Sequence, residues 1–437
     1  MEKQEGVVGK KIKKGTFAGG AKGDAMISAK ALSSVGDGEQ LKKEYYENGQ
    51  LKVAITIKDG KPAGPVKYYY ANGQLEKEGI YEDGAPNGPV KEYYENGQLR
   101  SAITIKDGKP TGPVKYYHAN GQLEKEGVYE DGIPVGEVKE YYENGQLKSA
   151  ITFKNEDPDG PFQYYHANGQ LEKEGVYEDG KLAGLFKEYH ANGQLRSAII
   201  IKDGKPTGPV KSYYANGQLE KEEVCESGIP VGEVKEYYEN GQLRSAIASK
   251  NGNLDGPFQY YYANGQLEKE GVYKNGNPDG PIKEYHANGQ LRSAITIKNG
   301  NPDGPFQYYH ANGQLEKEGV YKDGIPIGAV KEYYENGQLK SAVDIKNGIP
   351  EGPFQYYHAN GQLEKGGVYK DGKLEGPFKE YHANGQLKVA ITVKDGIPEG
   401  PFQYYHANGQ LEKEGFYEDG APNAPVKEYD ENGELKA

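Results

Sequence analysis

Residues 118–132 read HANGQLEKEGVYEDG, and close copies of this stretch recur along the chain. Asn-Gly stands at Asn48, Asn72, Asn96, Asn120 and every 24 residues on to Asn432, giving 17 copies without an insertion or deletion. A fixed period of this length is the mark of a repeat architecture. Asn-Gly between short runs rich in Tyr, Val and Ile is also the strongest short-range signal for a β-hairpin. The pairs Asn48-Gly49, Asn96-Gly97, Asn120-Gly121, Asn240-Gly241 and Asn336-Gly337 are therefore read as turns. A second turn follows about a dozen residues later, with Asp-Gly or Asn-Gly, usually Pro, then Gly (Asp107-Gly108, Asn299-Gly300). Copy 155–160, NEDPDG, lacks the first Gly, and copy 419–424, DGAPNA, lacks the second. Each repeat is thus strand, tight turn, strand, looser turn.

Alternate copies differ. Odd copies read like LRSAITIKDGKP (99–110) after the turn, and even copies like LEKEGVYEDGIP (123–134). A two-residue type I′ turn at Asn96-Gly97 pairs Tyr94 with Leu99 and Val90 with Ile103. Since side chains alternate along a strand, one face then carries Val90, Tyr94, Leu99, Ile103 and Ile105. In the even copy the same face carries Val114, Tyr116, His118, Leu123, Gly127 and Tyr129. The packing set is Tyr94, Leu99, Ile103, Leu123, Gly127 and Tyr129, with a tyrosine ring expected over the gap left by Gly127. The other face carries Lys91, Tyr93, Arg100 and Lys106, or Lys115, Tyr117, Glu124 and Glu126. Lys115 then faces Glu126, a favourable cross-strand pair. A three-residue turn with a bulge would instead place Lys115 opposite Lys125 and Glu92 opposite Arg100. The two-residue turn is favoured because it collects the aliphatic residues on one face.

The expected fold is all-β: an elongated, twisted, single-layer antiparallel β-meander, a solenoid-like ribbon of about 17 hairpins with roughly 34 strands. It would run about 160 Å if flat, and strand twist would coil it through about two turns. Residues 41–437 form the array. Residues 1–40 stand outside it, as a cap over the first sheet edge or as a tail. Asp24 is placed to N-cap a short helix over 25–35, ended by Gly36. At the other end, Asp430 and Glu434 bring charge that discourages edge-to-edge pairing.

Composition agrees with a thin structure. Of 437 residues, 35% are hydrophobic, with 63 Gly, 25 Pro, 39 Tyr and no Trp. Tyrosine must carry much of the packing, because its ring is apolar while its hydroxyl can stay wet. The net charge of −12 argues against nucleic-acid binding; membrane contact stays open. The single cysteine, Cys225, stands where sister copies have tyrosine and forms no intrachain disulfide. No apolar run of transmembrane length and no apolar leader occurs. If the sequence is complete, the protein is cytoplasmic, with secretion or surface display as alternatives.

No catalytic, cofactor or metal site emerges. All eight histidines occupy one position, two residues before Asn-Gly, where other copies have Tyr. Equivalent positions on successive hairpins lie roughly 10 Å apart, too far to share a zinc ion. The carboxylates repeat along an open surface, whereas acid–base catalysis needs a paired set in a pocket. Partner contact is assigned instead to the exposed-face tyrosines Tyr93, Tyr117, Tyr141 and Tyr165, since tyrosine is enriched among binding hot spots. Self-association through the apolar face is a further expectation.

GPVKEYYENGQLRSAITIKDGKPTG (88–112) and GPFQYYHANGQLEKEGVYEDGKLAG (160–184) resemble the bacterial variant of the MORN (membrane occupation and recognition nexus) repeat. The shared skeleton is Gly, an aromatic pair, Asn-Gly, Leu, a later Gly-x-Tyr, then Asp-Gly. Even copies fit it fully, and odd copies replace Gly-x-Tyr with Ile-x-Ile (Ile103, Ile105). The resemblance implies an antiparallel β-meander without enzymatic activity. It also implies three candidate roles: a YwqK-type antitoxin whose partner is a toxin, a surface or secreted repeat protein, or a membrane-associated scaffold.

Overall fold

The computed structural model describes residues 32–35, 38–423 and 425–436. The chain divides into two units, Met1–Val135 and Gly136–Ala437. In the first, strands run Leu32–Val35, Glu39–Tyr45, Leu51–Lys58, Lys61–Tyr69, Leu75–Glu82, Ala85–Tyr93, Leu99–Lys106, Lys109–Tyr117 and Leu123–Glu130. Each pairs antiparallel with the next. The second unit continues the same succession of antiparallel hairpins to Leu411–Glu418. Among the described residues every regular element is a strand. The fold is an all-β antiparallel meander.

Of the helix expected over 25–35, residues 25–31 lie outside the described residues. Leu32–Val35 is a strand, with Leu32 opposite Lys42 and Val35 opposite Glu39. The edge of Glu39–Tyr45 offers a row of backbone donors and acceptors, and a ladder satisfies them where a short helix would not.

The turns exchange their expected types. At Asn96-Gly97 only the glycine takes a positive φ, +84°. Gly97 N donates to Tyr94 O at 2.8 Å, and Tyr94 N donates to Gln98 O at 2.8 Å. This is a three-residue loop, a type I turn closed by a left-handed glycine. Tyr93, not Tyr94, therefore faces Leu99. Arg100 is then skipped as a bulge, and the register resets to Glu92–Ser101, Lys91–Ala102 and Val90–Ile103. The strand body thus keeps the two-residue register, including Lys115 opposite Glu126, although the loop has three residues. The type I′ turn sits at the other end of the hairpin. Asp107 and Gly108 both have positive φ (50° and 76°), and Lys106 faces Lys109. Beyond it the ladder slips again, from Thr104–Thr111 to Ala102–Lys115. The slip spans Gly112, at φ +72°, and Pro113, which has no N–H to give a ladder.

Burial is one-sided. Val90, Ile103, Ile105 and Val114 form a buried cluster with Tyr116 and Tyr129 against it. In several copies of the second unit phenylalanine takes the valine position, and Phe258 and Phe306 each leave 1% of their surface exposed. Over the strand glycines of those copies the ring is this phenylalanine rather than a tyrosine, whereas Gly127 faces Val114. A Cβ on Gly175 would lie 2.9 Å from the Phe162 ring, because Phe162 is its direct cross-strand partner. The tyrosine packs beyond, with Phe162 and Tyr177 ring centroids 4.5 Å apart. One copy departs from this scheme. Glu223 replaces the glycine and Cys225 the tyrosine; the Glu223 carboxylate lies 2.9 Å from Lys221 Nζ and is largely covered. The small buried cysteine vacates the volume of a ring where the longer glutamate enters.

Candidate interaction face

Two sets of polar side chains are ordered by the repeat, one at the turns and one on the face opposite the core. At the turns, Asn96 Oδ1 accepts from Gln98 N at 3.0 Å, and its Nδ2 donates to Ala119 O of the following repeat at 2.8 Å. The same pair of bonds recurs at Asn48, Asn240 and Asn336. Asn120 Oδ1 accepts from Gln122 N at 3.0 Å. The glycines of these pairs also admit a neighbour: a Cβ on Gly337 would lie 2.8 Å from the Gln314 side-chain oxygen. Gly49, Gly121 and Gly241 share the positive φ.

Two residues before the Asn-Gly pairs, tyrosine and histidine side chains reach a backbone carbonyl 23 residues on. Tyr94 Oη donates to Tyr117 O at 2.8 Å, and His310 Nε2 meets Tyr333 O at 3.1 Å. Imidazole and phenol reach the same acceptor, which explains why histidine and tyrosine exchange there and nowhere else. Tyr94 therefore belongs to this turn ladder and packs under the Arg100 guanidinium, 5.8 Å from its ring centre. Among the described residues no three His, Cys, Asp or Glu side chains are placed to hold a metal ion.

On the outer face, Lys, Glu and Tyr from adjacent strands converge. Glu174 accepts from Tyr189 Oη at 2.8 Å and from Lys187 Nζ at 3.3 Å. Glu318 accepts from Tyr333 at 2.8 Å with Lys331 at 3.7 Å, and Glu414 from Tyr429 at 3.2 Å with Lys427 at 3.3 Å. Burial disfavours the charge on Glu174, but the Tyr189 and Lys187 hydrogen bonds outweigh it and hold the carboxyl below its ordinary range. Conversely, burial and then the Glu318 bond push the Tyr333 phenol up to about 12.

The tyrosines read from the sequence as contact residues belong to this network. Tyr93 donates to Glu78 at 2.9 Å and Tyr165 to Gln163 at 2.8 Å. Tyr117 and Tyr141 face Leu123 and Leu147 beside their turns. All four are half-buried. The exposed apolar groups lie in another row: Ile80, Val128, Val176, Val224, Val272, Val320, Val368 and Phe416, each 38–46% exposed and spaced by 48 residues. Strand alternation puts Val128 on the Glu126 face, opposite Pro113. The period-2 pattern carried that signal, but reading Val128 as one more core aliphatic hides it.

Cys225 is buried, and burial followed by the Glu223 charge pushes its thiol up, away from reactive thiolate. No helix among the described residues is long and apolar enough to cross a membrane.

Known proteins add the family. No curated protein matches the chain. Among solved structures, the complex titled TcdB2-TccC3-Cdc42 aligns at 13% identity and TM-score 0.15, over 89% of this chain and 26% of that one. A porin-like protein from Bacteroides uniformis ATCC 8492 aligns at 12% identity and TM-score 0.13, over 72% of this chain and 92% of that one. Overlap this slight carries no argument about fold or role. The model for the MORN repeat variant matches sixteen consecutive segments from 41–59 to 398–419, passing over only short linkers and, in the atypical copy, residues 225–229. With hairpins, turn glycines and aromatic pairs in the matched segments, the chain belongs to the MORN repeat variant family.

Proposed function

We propose that this repeat scaffold is non-catalytic and holds a protein partner along its outer face. The observation that carries this reading is the row from Val176 to Phe416 in the second unit, apolar, exposed and regularly spaced beside the Lys–Glu–Tyr networks. Apolar area rimmed by polar groups is the usual make-up of a protein contact surface. A non-enzymatic role is supported by the carboxylates themselves: in copy after copy they are engaged by lysine and tyrosine. A narrower form of the reading, suggested by the family resemblance, is an antitoxin whose partner is a toxin.

The test uses the full chain and a partner identified by crosslinking in its native cell. Val272→Glu with Val320→Glu is expected to weaken the purified complex at least about tenfold while thermal unfolding stays within a degree or two. Unchanged affinity, or the lack of any stoichiometric partner, overturns the reading. The alternative is a spacer whose length matters more than its contacts. It is favoured by the 24-residue period, held without insertion from Asn48 to Asn432. For a spacer, replacing one 48-residue double repeat by an unrelated rod of equal length preserves function.

A further inference from the structure

One copy breaks the Lys–Glu–Tyr network. Even copies carry glutamate six residues after Asn at positions 78, 126, 174, 222, 270, 318 and 414, but Gly366 stands at the seventh of these eight positions. Lys379 still faces it across the ladder. Lys379 and Tyr381 are thus the counterparts of Lys331 and Tyr333, which both engage Glu318, without the carboxylate that would join them. Among the described residues, neither the Lys379 ammonium nor the Tyr381 hydroxyl has a hydrogen-bond or ion-pair partner.

The same place holds a second departure. Asp344 occupies a position that is Thr56, Thr104, Thr152, Thr296 and Thr392 elsewhere, or Ile200 and Ala248. It is half-buried, and among the described residues its carboxylate forms no ion pair or hydrogen bond. Gly366, Lys379, Tyr381 and Asp344 line one cavity of about 550 Å³, whose outer-face apolar groups include Ala342, Pro353 and Val368. Comparable cavities beside Phe162 and Phe402 contain Glu174 with Lys187 and Glu414 with Lys427, so there the cation is already answered.

We propose that this cavity binds an extended aliphatic zwitterion, its carboxylate on Lys379 and Tyr381 and its ammonium group toward Asp344, three strands away. The carboxylate of the guest takes the place that Glu318 takes in the preceding even copy, 2.8 Å from a tyrosine hydroxyl and 3.7 Å from a lysine nitrogen. Two donors on one carboxylate form charge-assisted bonds, stronger than neutral ones. Asp344 adds selectivity: a plain carboxylic acid meets an unanswered like charge across the cavity, whereas an ω-amino acid answers it. The site borders the partner row at Val368, but its polar contacts are Lys379, Tyr381 and Asp344, none of which belongs to that row, and its guest is a small molecule.

The experiment is a saturation-transfer NMR titration of the full chain with β-alanine and its longer ω-amino homologues, each against the parent acid without the amine. The expected result is saturable binding of at least one ω-amino acid, tighter than its parent acid. Gly366→Glu, which restores the side chain of the other copies, is expected to weaken that binding at least about tenfold. Asp344→Thr is expected to equalise the amino acid and its parent. Lys379→Gln serves as a second loss-of-site variant, with far-ultraviolet circular dichroism confirming that each variant keeps its β signature. Absence of binding by every homologue, or binding undiminished in both Gly366→Glu and Lys379→Gln, overturns the site. Equal binding of amino acid and parent by the unaltered chain overturns the role of Asp344.

Discussion

Both central residues of the Asp-Gly turns sit at positive φ, and in one copy the second of them is Glu156, at +76°. A left-handed conformation costs a residue with a Cβ about 1–2 kcal/mol, partly offset because glycine loses more backbone freedom on folding. Glu156→Gly is therefore expected to stabilise the chain by about 0.5–1 kcal/mol, read as a rise in the urea midpoint. The turn asparagines separate two roles within one side chain. Asn312 Nδ2 donates to Glu335 O at 2.7 Å, while its Oδ1 accepts from Gln314 N at 2.9 Å. Asn312→Asp keeps the acceptor and loses the donor, so it isolates the bond between repeats. A loss of about 1 kcal/mol in equilibrium unfolding is expected. Asn312→Ala removes both bonds and is expected to cost more. The asparagines were visible in the sequence as turn residues. Their bonds to the next repeat were not, because a preference for positive φ explains Asn-Gly locally and points to a different turn.

At the level of the hairpin, the strand glycines are governed by what lies across from them. A Cβ on Gly319 would meet the Phe306 ring at 2.8 Å and Val330 at 3.2 Å. In the copy with valine opposite, a Cβ on Gly79 would meet Val90 at 3.1 Å. Gly319→Ala should overpack the core at a cost of about 1–3 kcal/mol, and that cost should shrink when Phe306→Val is already present. A double-mutant cycle on equilibrium unfolding measures the difference; a strictly additive pair would mean that the glycine answers to backbone conformation alone. Alternation of apolar residues located the core face, from Val90 through Ile103 to Tyr129, because that pattern depends only on the period of a strand. It did not identify the residue over the glycine. That contact depends on which positions face each other across the ladder, which the bulge at Arg100 resets.

Across the whole chain, tyrosines act as a distributed titration system. Burial, followed by hydrogen bonds to Glu78, Glu174, Glu222, Glu270 and Glu318, pushes Tyr93, Tyr189, Tyr237, Tyr285 and Tyr333 up to about 12. In the unfolded chain these phenols titrate near 10. Below pH 10 both states hold the proton and the contribution does not vary. Above it the unfolded state releases protons first, so stability falls as pH rises from about 10 to 12. Urea midpoints across that range should drop steeply, and tyrosinate absorbance should rise together with unfolding instead of before it. Glu318→Gln should leave behaviour near neutrality similar and let Tyr333 ionise at lower pH. Fold class was legible at this scale because 17 in-phase copies leave little freedom. The outer apolar row was less legible, since valine in a β-rich sequence reads as core until each strand's alternation is followed through its bulges.

The turn ladder has a direction: the asparagine amides of Asn48, Asn96, Asn240, Asn312 and Asn336 each give their hydrogen to a later copy. At the Asn432 turn, Asp430 folds back so that its carboxylate accepts from Asn432 N and Glu434 N, both at 2.9 Å. Such a one-way stack tolerates recombination unevenly. Unequal crossing-over that gains or loses 48 residues within a unit rejoins every amide to an equivalent carbonyl and keeps basic and acidic copies in turn. A gain of 24 residues preserves the turns but sets two like-charged copies side by side. Natural length variants of this array should therefore differ by whole double repeats.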